Sequence, residues 1–126
     1  MKRSTVQDAT FPACPVRNVL ARICDKWALL VLYILDRSGK ESMRFTELRQ
    51  HMPDISQRML TMTLRTLEED GYITRTVFSE IPPRVEYALT ARAESLKPIL
   101  TSLLEWAAEH MEEVVHDRRK AMSQPE

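Results

Sequence analysis

The sequence predicts an α+β fold that is mainly helical, with one short β-hairpin set between helices. Apolar residues recur at helical spacing over most of the chain. Residues 73–78 and 84–89 instead alternate between apolar and other side chains, and a proline-bearing turn separates them, which is typical of a hairpin. A length of 126 residues fits one domain, or one domain with an added helix.

The N-terminal third is expected to supply a flexible arm and two helices. Residues 1–13 form the arm, and a single domain follows over residues 14–119. Pro15 stands at a favourable first helical position, and apolar residues recur from Val16 to Ile23. The next helix, from about residue 26, is apolar on nearly every side and is therefore predicted to be central to the core.

The middle of the chain predicts short elements with recognisable starts and stops. Residues 43–45 can form a minimal strand, and Thr46 is expected to cap a helix over residues 47–52. Ser56 is expected to cap the following helix, which ends before Gly71.

The hairpin is followed by a long helix from Thr90 to about Arg119. Pro98 lies inside this helix and is expected to kink or break it, because proline has no N–H to donate to the carbonyl of Glu94. Residues 120–126 are predicted to be a disordered tail.

This order of elements is a helix-turn-helix followed by a β-wing, with a DNA-binding core at about residues 26–90. On the helix after Ser56, three leucines form one packing stripe: Leu60, Leu64 and Leu67. The opposite stripe contains no acid and consists of Gln57, Arg58, Thr61, Met62 and Arg65. Acids cluster only at the far end, over residues 68–70.

A helix that enters the major groove N-terminus first needs this polarity. The Ser56 end can meet a phosphate, and glutamine and arginine can bind adenine and guanine edges. The alternative is a solvated helix face with no ligand. In the wing, Arg84 is the candidate for insertion into the minor groove and Arg75 for a flanking phosphate contact. The alternative there is an ordinary hairpin in which Arg84 pairs with an acid.

Charge is balanced over the whole chain, with 18 basic and 18 acidic residues. Residues 1–39 carry six Lys or Arg against three Asp or Glu, whereas the acidic excess lies at the C-terminal end. We therefore expect only moderate, salt-sensitive affinity for DNA.

Five segments together resemble the HxlR-type winged-helix regulators, which are related to the MarR proteins. They are CPV at 14–16, DKWALLVL at 25–32, RFTELR at 44–49, ISQRMLTMTLRTLEEDG at 55–71 and PPRVEYALT at 82–90. The resemblance implies a homodimeric bacterial transcription regulator that binds double-stranded DNA through residues 56–65 and the wing around Arg84. Cys24-Asp25 stands where the family often has Gly-Gly, and Met62 stands where Gln is common.

The resemblance also implies a role for Cys14, because several members use an N-terminal cysteine to sense electrophiles, quinones or oxidants. A thiol just before Pro15 lies in the positive potential of a helix N-terminus, which favours the thiolate. The alternative is a semi-buried cysteine that packs the arm. Cys24 is expected to be a small buried side chain. A Cys14–Cys24 bond within one chain is disfavoured, because ten helical residues rise about 15 Å, whereas a bond between subunits stays open.

The last helix carries two apolar stripes, one of which can serve a partner subunit. The predicted dimerisation residues are Val16, Leu20, Leu96, Leu100, Leu104, Met111 and Val115. A dimer would place two recognition helices about one DNA turn apart, on an inverted-repeat operator. The alternative is one thick packing face within the chain.

An enzyme is the weakest interpretation. The three histidines are isolated from one another and from any cysteine motif, and two glycines cannot build a phosphate loop. Glu112 and His116 share a helix face, but a solvated face is favoured over a metal site, so neither metal nor cofactor is expected. No apolar run predicts a signal peptide or a membrane helix, which favours a cytoplasmic, nucleoid-associated protein. The remaining alternative function is a winged helix that only assembles proteins, and the acid-free stripe argues against it.

Overall fold

The computed structural model describes residues 15–124, as five helices and three strands. The elements are α1 (Pro15–Ile23), α2 (Lys26–Arg37), β1 (Met43–Arg44), α3 (Phe45–Gln50), α4 (Gln57–Glu69), β2 (Ile73–Phe78), β3 (Arg84–Leu89) and α5 (Ala91–Ser123). The mainly helical α+β fold is therefore confirmed. Within these residues no helix has both the length and the apolar character that crossing a membrane requires.

The predicted hairpin is the centre of a small antiparallel sheet with the strand order β1-β3-β2. β2 and β3 pair over their full length, from Ile73 opposite Leu89 to Phe78 opposite Arg84. β1 adds two residues to the other edge of β3, with Met43 opposite Tyr87. The sheet thus connects the base of the wing to the start of α3.

α2 is central to the core, as its apolar sequence predicts. Four of its residues are buried, and the helix packs against α4, α3 and β3; they are Ala28, Val31, Leu32 and Leu35. Asp25 caps the helix, since its carboxylate accepts hydrogen bonds from the backbone N–H groups of Trp27 (3.1 Å) and Ala28 (3.2 Å). The aspartate that departs from the family pattern therefore starts this helix.

Gly71 ends α4 with a positive φ of 79°. The Tyr72 N–H donates to the Leu67 carbonyl (2.9 Å) and the Gly71 N–H donates to the Glu68 carbonyl (3.0 Å). These two bonds satisfy the last carbonyls of the helix in a Schellman motif. The chain is thereby redirected from α4 into β2, so the β2–β3 hairpin begins at a defined place beside α4.

Several predicted boundaries are corrected. α3 begins at Phe45, so Thr46 lies within the helix and is not its cap; the N-cap residue is Arg44, whose N–H donates to the Glu47 carboxylate (3.1 Å). Pro98 does not break α5, because its missing N–H removes a single helical bond. The helix continues to Ser123, so residues 120–123 are helical and do not belong to the predicted tail.

Internal contacts divide the chain between Ser95 and Leu96, so the C-terminal part of α5 is described as a unit of its own. The single domain expected over residues 14–119 stays a prediction. One further prediction is corrected. Cys24 is exposed, whereas it was expected to be buried. It follows Ile23, the last residue of α1, and Ile23 is the residue that packs into the core. The predicted N-terminal arm and Cys14 lie outside the described residues.

Candidate nucleic-acid interface

The exposed start of α4 is built around Ser56. Its hydroxyl accepts a hydrogen bond from the Met59 N–H (3.0 Å), so the side chain caps the helix as predicted. No acid lies in the first turn of α4. The other free N–H groups of that turn and the helix dipole therefore leave this end suited to an anion such as a DNA phosphate.

The two faces of α4 have opposite characters. Leu60, Leu64 and Leu67 are buried as predicted, and Thr63 is buried with them at 7% exposure. All five residues of the predicted contact stripe are exposed; they are Gln57, Arg58, Thr61, Met62 and Arg65. The structure therefore brings the predicted contact residues of α4 onto one open surface.

Some polar side chains of this surface already make hydrogen bonds within the protein, and others do not. Thr61 donates its hydroxyl to the Gln57 carbonyl (2.8 Å), which leaves its methyl group outward for a base or sugar. Arg49 of α3 donates weakly to the Gln57 side-chain oxygen at 3.5 Å. Arg58 and Arg65 make no ion pair or hydrogen bond with any of residues 15–124. Two arginines are therefore free to meet an external acceptor.

The structure places Arg75 of β2 beside Arg65. Both line a cleft of about 380 Å³ between α4 and the sheet. The remaining lining residues are Thr61, Leu64, Glu68 and Tyr87. The cleft thus joins the recognition helix to the wing strand and carries two cations against one carboxylate. Sequence spacing alone did not show that Glu68 would reach this cleft.

The acidic end of α4 is held by α1. Arg22 contacts Asp70 at 2.7 Å and Glu69 at 3.1 Å. The hydrogen bond to Asp70, followed by that to Glu69, raises the pKa of Arg22. These ion pairs compensate the charges of Glu69 and Asp70 at the end of α4. This role of Arg22 was not predicted from the sequence, where only its charge, opposite to that of the acids, pointed to it.

In the wing, Arg84 adopts the alternative arrangement, in which it pairs with acids. Its Nη1 lies 2.6 Å from Glu80 Oε2 and its Nε lies 2.7 Å from Glu86 Oε2. The guanidinium also stacks on the Phe78 ring, 4.1 Å from the ring centroid. The DNA contact proposed for Arg84 remains a prediction, and any such contact would compete with these partners.

The predicted dimerisation residues differ in exposure. Leu20 and Met111 are open to solvent at 49% and 59%, whereas Val16, Leu96, Leu104 and Val115 are half-buried and Leu100 is buried at 6%. The other stripe of α5 is the more exposed one near its start, with Ile99 at 66%, Leu103 at 49% and Trp106 at 55%. Exposed apolar side chains of this size on one helix are typical of a surface covered by another chain.

Residues 15–124 contain no group of three or more His, Cys, Asp or Glu side chains placed to hold a metal ion. Two open clefts are lined by arginines and acids: one lies between α4 and the sheet, and the other lies between α1 and the end of α4.

Comparison with known proteins agrees with this geometry. The family model described as HxlR-like helix-turn-helix matches residues 22–115. An uncharacterised HTH-type transcriptional regulator from Methanothermobacter thermautotrophicus is 50% identical over 93 residues, which cover 74% of this chain and 69% of the relative.

Solved structures show the same fold. The ytfH protein of Salmonella typhimurium superposes with a TM-score of 0.75 at 34% identity, covering 85% of this chain and 93% of that one. The redox regulator HypR in its reduced form superposes with a TM-score of 0.71 at 38% identity, covering 81% of this chain and 98% of the other. The winged helix-turn-helix fold expected from the sequence is thereby confirmed.

Proposed function

The chain belongs to the HxlR-like helix-turn-helix family of transcriptional regulators, and on this premise we propose that it binds an inverted-repeat DNA operator as a homodimer. α4 enters the major groove with its Ser56 end leading, and the β2–β3 wing lies over the flanking minor groove and its backbone. The protein acts in the cytoplasm, on the nucleoid. It performs no catalysis of its own.

The observation that carries this proposal is the open face of α4 over residues 57–65, which contains no acid. Arg58 and Arg65 have no carboxylate partner among residues 15–124, although acids are as frequent as bases in the chain. A solvated helix face with no ligand would be expected to carry both positively and negatively charged side chains. The side chains available to base edges are Gln57, Arg58 and Arg65, with Met62 and the Thr61 methyl for thymine.

The homodimer is supported by the exposed apolar residues of α1 and α5. Leu20 on α1 and Leu103, Trp106 and Met111 on α5 are each about half exposed in the single chain. A two-fold dimer buries such residues and sets two copies of α4 about 34 Å apart, which is one turn of DNA.

The decisive experiment is a binding titration with duplexes that carry inverted repeats from upstream of the protein's own and neighbouring genes. Wild-type protein is expected to bind one of them at least about a thousandfold more tightly than random-sequence DNA at physiological salt. Equal affinity for all duplexes at low salt would contradict specific binding and would favour a winged helix that only assembles proteins.

Substitutions in the exposed face sharpen the test. Arg58→Ala and Arg65→Ala are each expected to weaken operator binding by at least about tenfold, since a good base contact contributes about 1–3 kcal/mol. The melting temperature is expected to stay unchanged, because neither side chain has a partner in residues 15–124. Arg119→Ala, at an exposed position near the end of α5, is the matched control. Equal loss of stability and binding would show that Arg58 and Arg65 are structural.

Regulation by oxidants is the second part of the proposal and rests on Cys14. The similar protein HypR is a redox regulator, and Cys14 directly precedes Pro15, the first residue of α1. A thiolate at a helix N-terminus attacks a peroxide, forming an S–O bond as the O–O bond breaks and releasing hydroxide. The sulfenic acid then condenses with a second thiol, and the disulfide forms with loss of water.

A reporter gene controlled by the operator tests this regulation. Hydrogen peroxide, diamide or a quinone is expected to change expression in cells that carry the wild-type protein. The same response is expected in cells that carry Cys24→Ser, the control for the exposed second thiol. Cys14→Ser is expected to abolish the response while leaving operator binding intact. A response that persists in Cys14→Ser would overturn the sensor role.

A further inference from the structure

The guanidinium of Arg84 is enclosed by groups of the wing itself. Glu80 and Glu86 lie on two sides of it at 2.6 and 2.7 Å, and Phe78 lies under its plane. Its Nε is buried and makes no hydrogen bond, so the contact with Glu86 is an ion pair by distance and not a directed bond. The positive charge of Arg84 is thus compensated before any DNA arrives.

Arg84 also links the tip of the wing to its base. Glu86 accepts a hydrogen bond from the Ser42 hydroxyl and lies opposite Arg44 of β1 in the sheet. Glu80, in contrast, lies in the turn beyond the end of β2. A continuous series of polar contacts therefore runs from Ser42 through Glu86 and Arg84 to Glu80, and it holds the turn in place relative to β1.

The tip that Arg84 holds is apolar. Ile81 is fully exposed at 102%, and Pro82 and Pro83 after it are exposed as well. Glu80, the one acid of the turn, pairs with Arg84, which it shares with Glu86. The turn therefore presents an isoleucine and two prolines to solvent, and its acid is already paired. Ile81 adds nothing to the core, and together with Pro82 and Pro83 it forms a small contiguous apolar patch at the end of the wing.

We propose that the wing contacts the minor groove of the operator through the apolar side chain of Ile81, and that Arg84 is a positioning residue that does not touch DNA. Isoleucine and proline are among the side chains that minor-groove proteins place against sugars and base steps. A minor-groove arginine acts through its free charge, which Arg84 lacks here. This inference rests on the proposed function, because it assigns the DNA contact within the wing.

The test measures binding to the inverted-repeat duplex that wild-type protein binds best, at salt concentrations from about 50 to 300 mM. Ile81→Ser is expected to weaken binding at least about tenfold at every salt concentration. The slope of log affinity against log salt concentration, the salt slope, is expected to stay unchanged because no phosphate contact is lost. Met122→Ser, at an exposed apolar position near the end of α5, is the matched control and is expected to bind like wild type.

Arg84→Gln separates positioning from contact. It is expected to weaken binding without changing the salt slope, and the double variant Ile81→Ser with Arg84→Gln is expected to bind no more weakly than Ile81→Ser alone. Loss of a phosphate contact in both protomers would instead lower the slope by about two. If Arg84→Gln does not fold, Arg84→Lys replaces it, because the ammonium can keep one ion pair without stacking on Phe78.

Two results would overturn the inference while the proposed function stands: Ile81→Ser binding within twofold of wild type, or a salt slope lowered by Arg84→Gln. If wild-type protein shows no preference for any duplex, the proposed function and this inference fail together.

Discussion

The arginines of this chain divide according to their partners. Arg22 and Arg84 each contact two carboxylates, whereas Arg58 and Arg65 have no partner among residues 15–124. The first pair holds elements together: Arg22 joins α1 to the end of α4, and Arg84 joins the turn of the wing to its base. The second pair keeps its charge available to an external anion. The same residue type therefore serves structure or binding according to the acids that lie within reach.

Gly71 offers a test of structure at a single residue. Its φ of 79° is costly for any residue with a Cβ, by about 1–2 kcal/mol. A Cβ there would also lie 2.4 Å from Nη1 of Arg92, which donates to the Asp70 carbonyl at 2.6 Å. Gly71→Ala is therefore expected to lower the free energy of unfolding by about 2 kcal/mol in denaturant titrations, since it adds the loss of this hydrogen bond to the backbone cost.

Gly39→Ala is the matched control for that substitution. Gly39 has a similar φ of 71°, but nothing lies within 4 Å of the added methyl group. Gly39→Ala is expected to lower the free energy of unfolding by about 1 kcal/mol, because only the backbone cost applies. Equal losses for the two variants would show that the contact between Arg92 and Asp70 contributes nothing.

At the scale of elements, α3 depends on a carboxylate at its N-terminus. Glu47 pairs with Lys40 and accepts the hydrogen bond from the Arg44 N–H. These contacts, that with Lys40 foremost, hold the pKa of Glu47 below its ordinary value. Because the folded pKa is lowered, the stabilisation is present above the ordinary glutamate pKa and is lost as the pH falls through the lowered value.

Glu47→Gln is therefore expected to be less stable than wild type at neutral pH, and the difference is expected to close as the pH falls below the ordinary glutamate pKa and through the lowered pKa of Glu47. This difference in stability is measured by thermal unfolding, monitored by circular dichroism, from neutral pH to below the ordinary glutamate pKa. Glu41→Gln removes an exposed acid that has no hydrogen bond or ion pair with any of residues 15–124, and it is expected to leave the pH profile unchanged. A constant difference between Glu47→Gln and wild type at all pH values would contradict the linkage.

The elements themselves were largely predictable from the sequence. β2 and β3 begin and end where alternation predicted. α4 begins after the Ser56 cap and ends before Gly71, as predicted, because these signals act over a few residues. The exposed arginines of α4 followed from helical spacing in the same way. The partners of Arg84 did not, since Glu80 and Glu86 are placed by the turn and by strand register. Arg22 is separated in sequence from its two partners by 47 residues (Glu69) and 48 residues (Asp70), so no local sequence pattern could predict these contacts.

At the scale of the whole molecule, the binding surface and the apolar surface of α5 belong to separate units. The first unit ends at Ser95 and carries α4 and the wing, whereas the unit from Leu96 is a single helix with exposed Ile99, Leu103 and Trp106. A helix with large apolar residues open to water gains stability from a second chain. In the proposed function, the first unit contacts DNA and the second sets the distance between two copies.

Leu103→Lys tests this division. The substitution places a charge on the exposed apolar stripe of α5, where burial in a dimer would leave it unpaired. The variant is expected to run as a monomer in size-exclusion chromatography with light scattering, under conditions in which wild type is a dimer. Operator affinity is expected to fall by at least about a hundredfold, because one half-site contact is lost. Glu105→Lys introduces lysine at an exposed position on the polar side of the same helix and is expected to stay dimeric. A Leu103→Lys protein that remains dimeric would move the interface to the other stripe, where Met111 is the most exposed of the predicted residues.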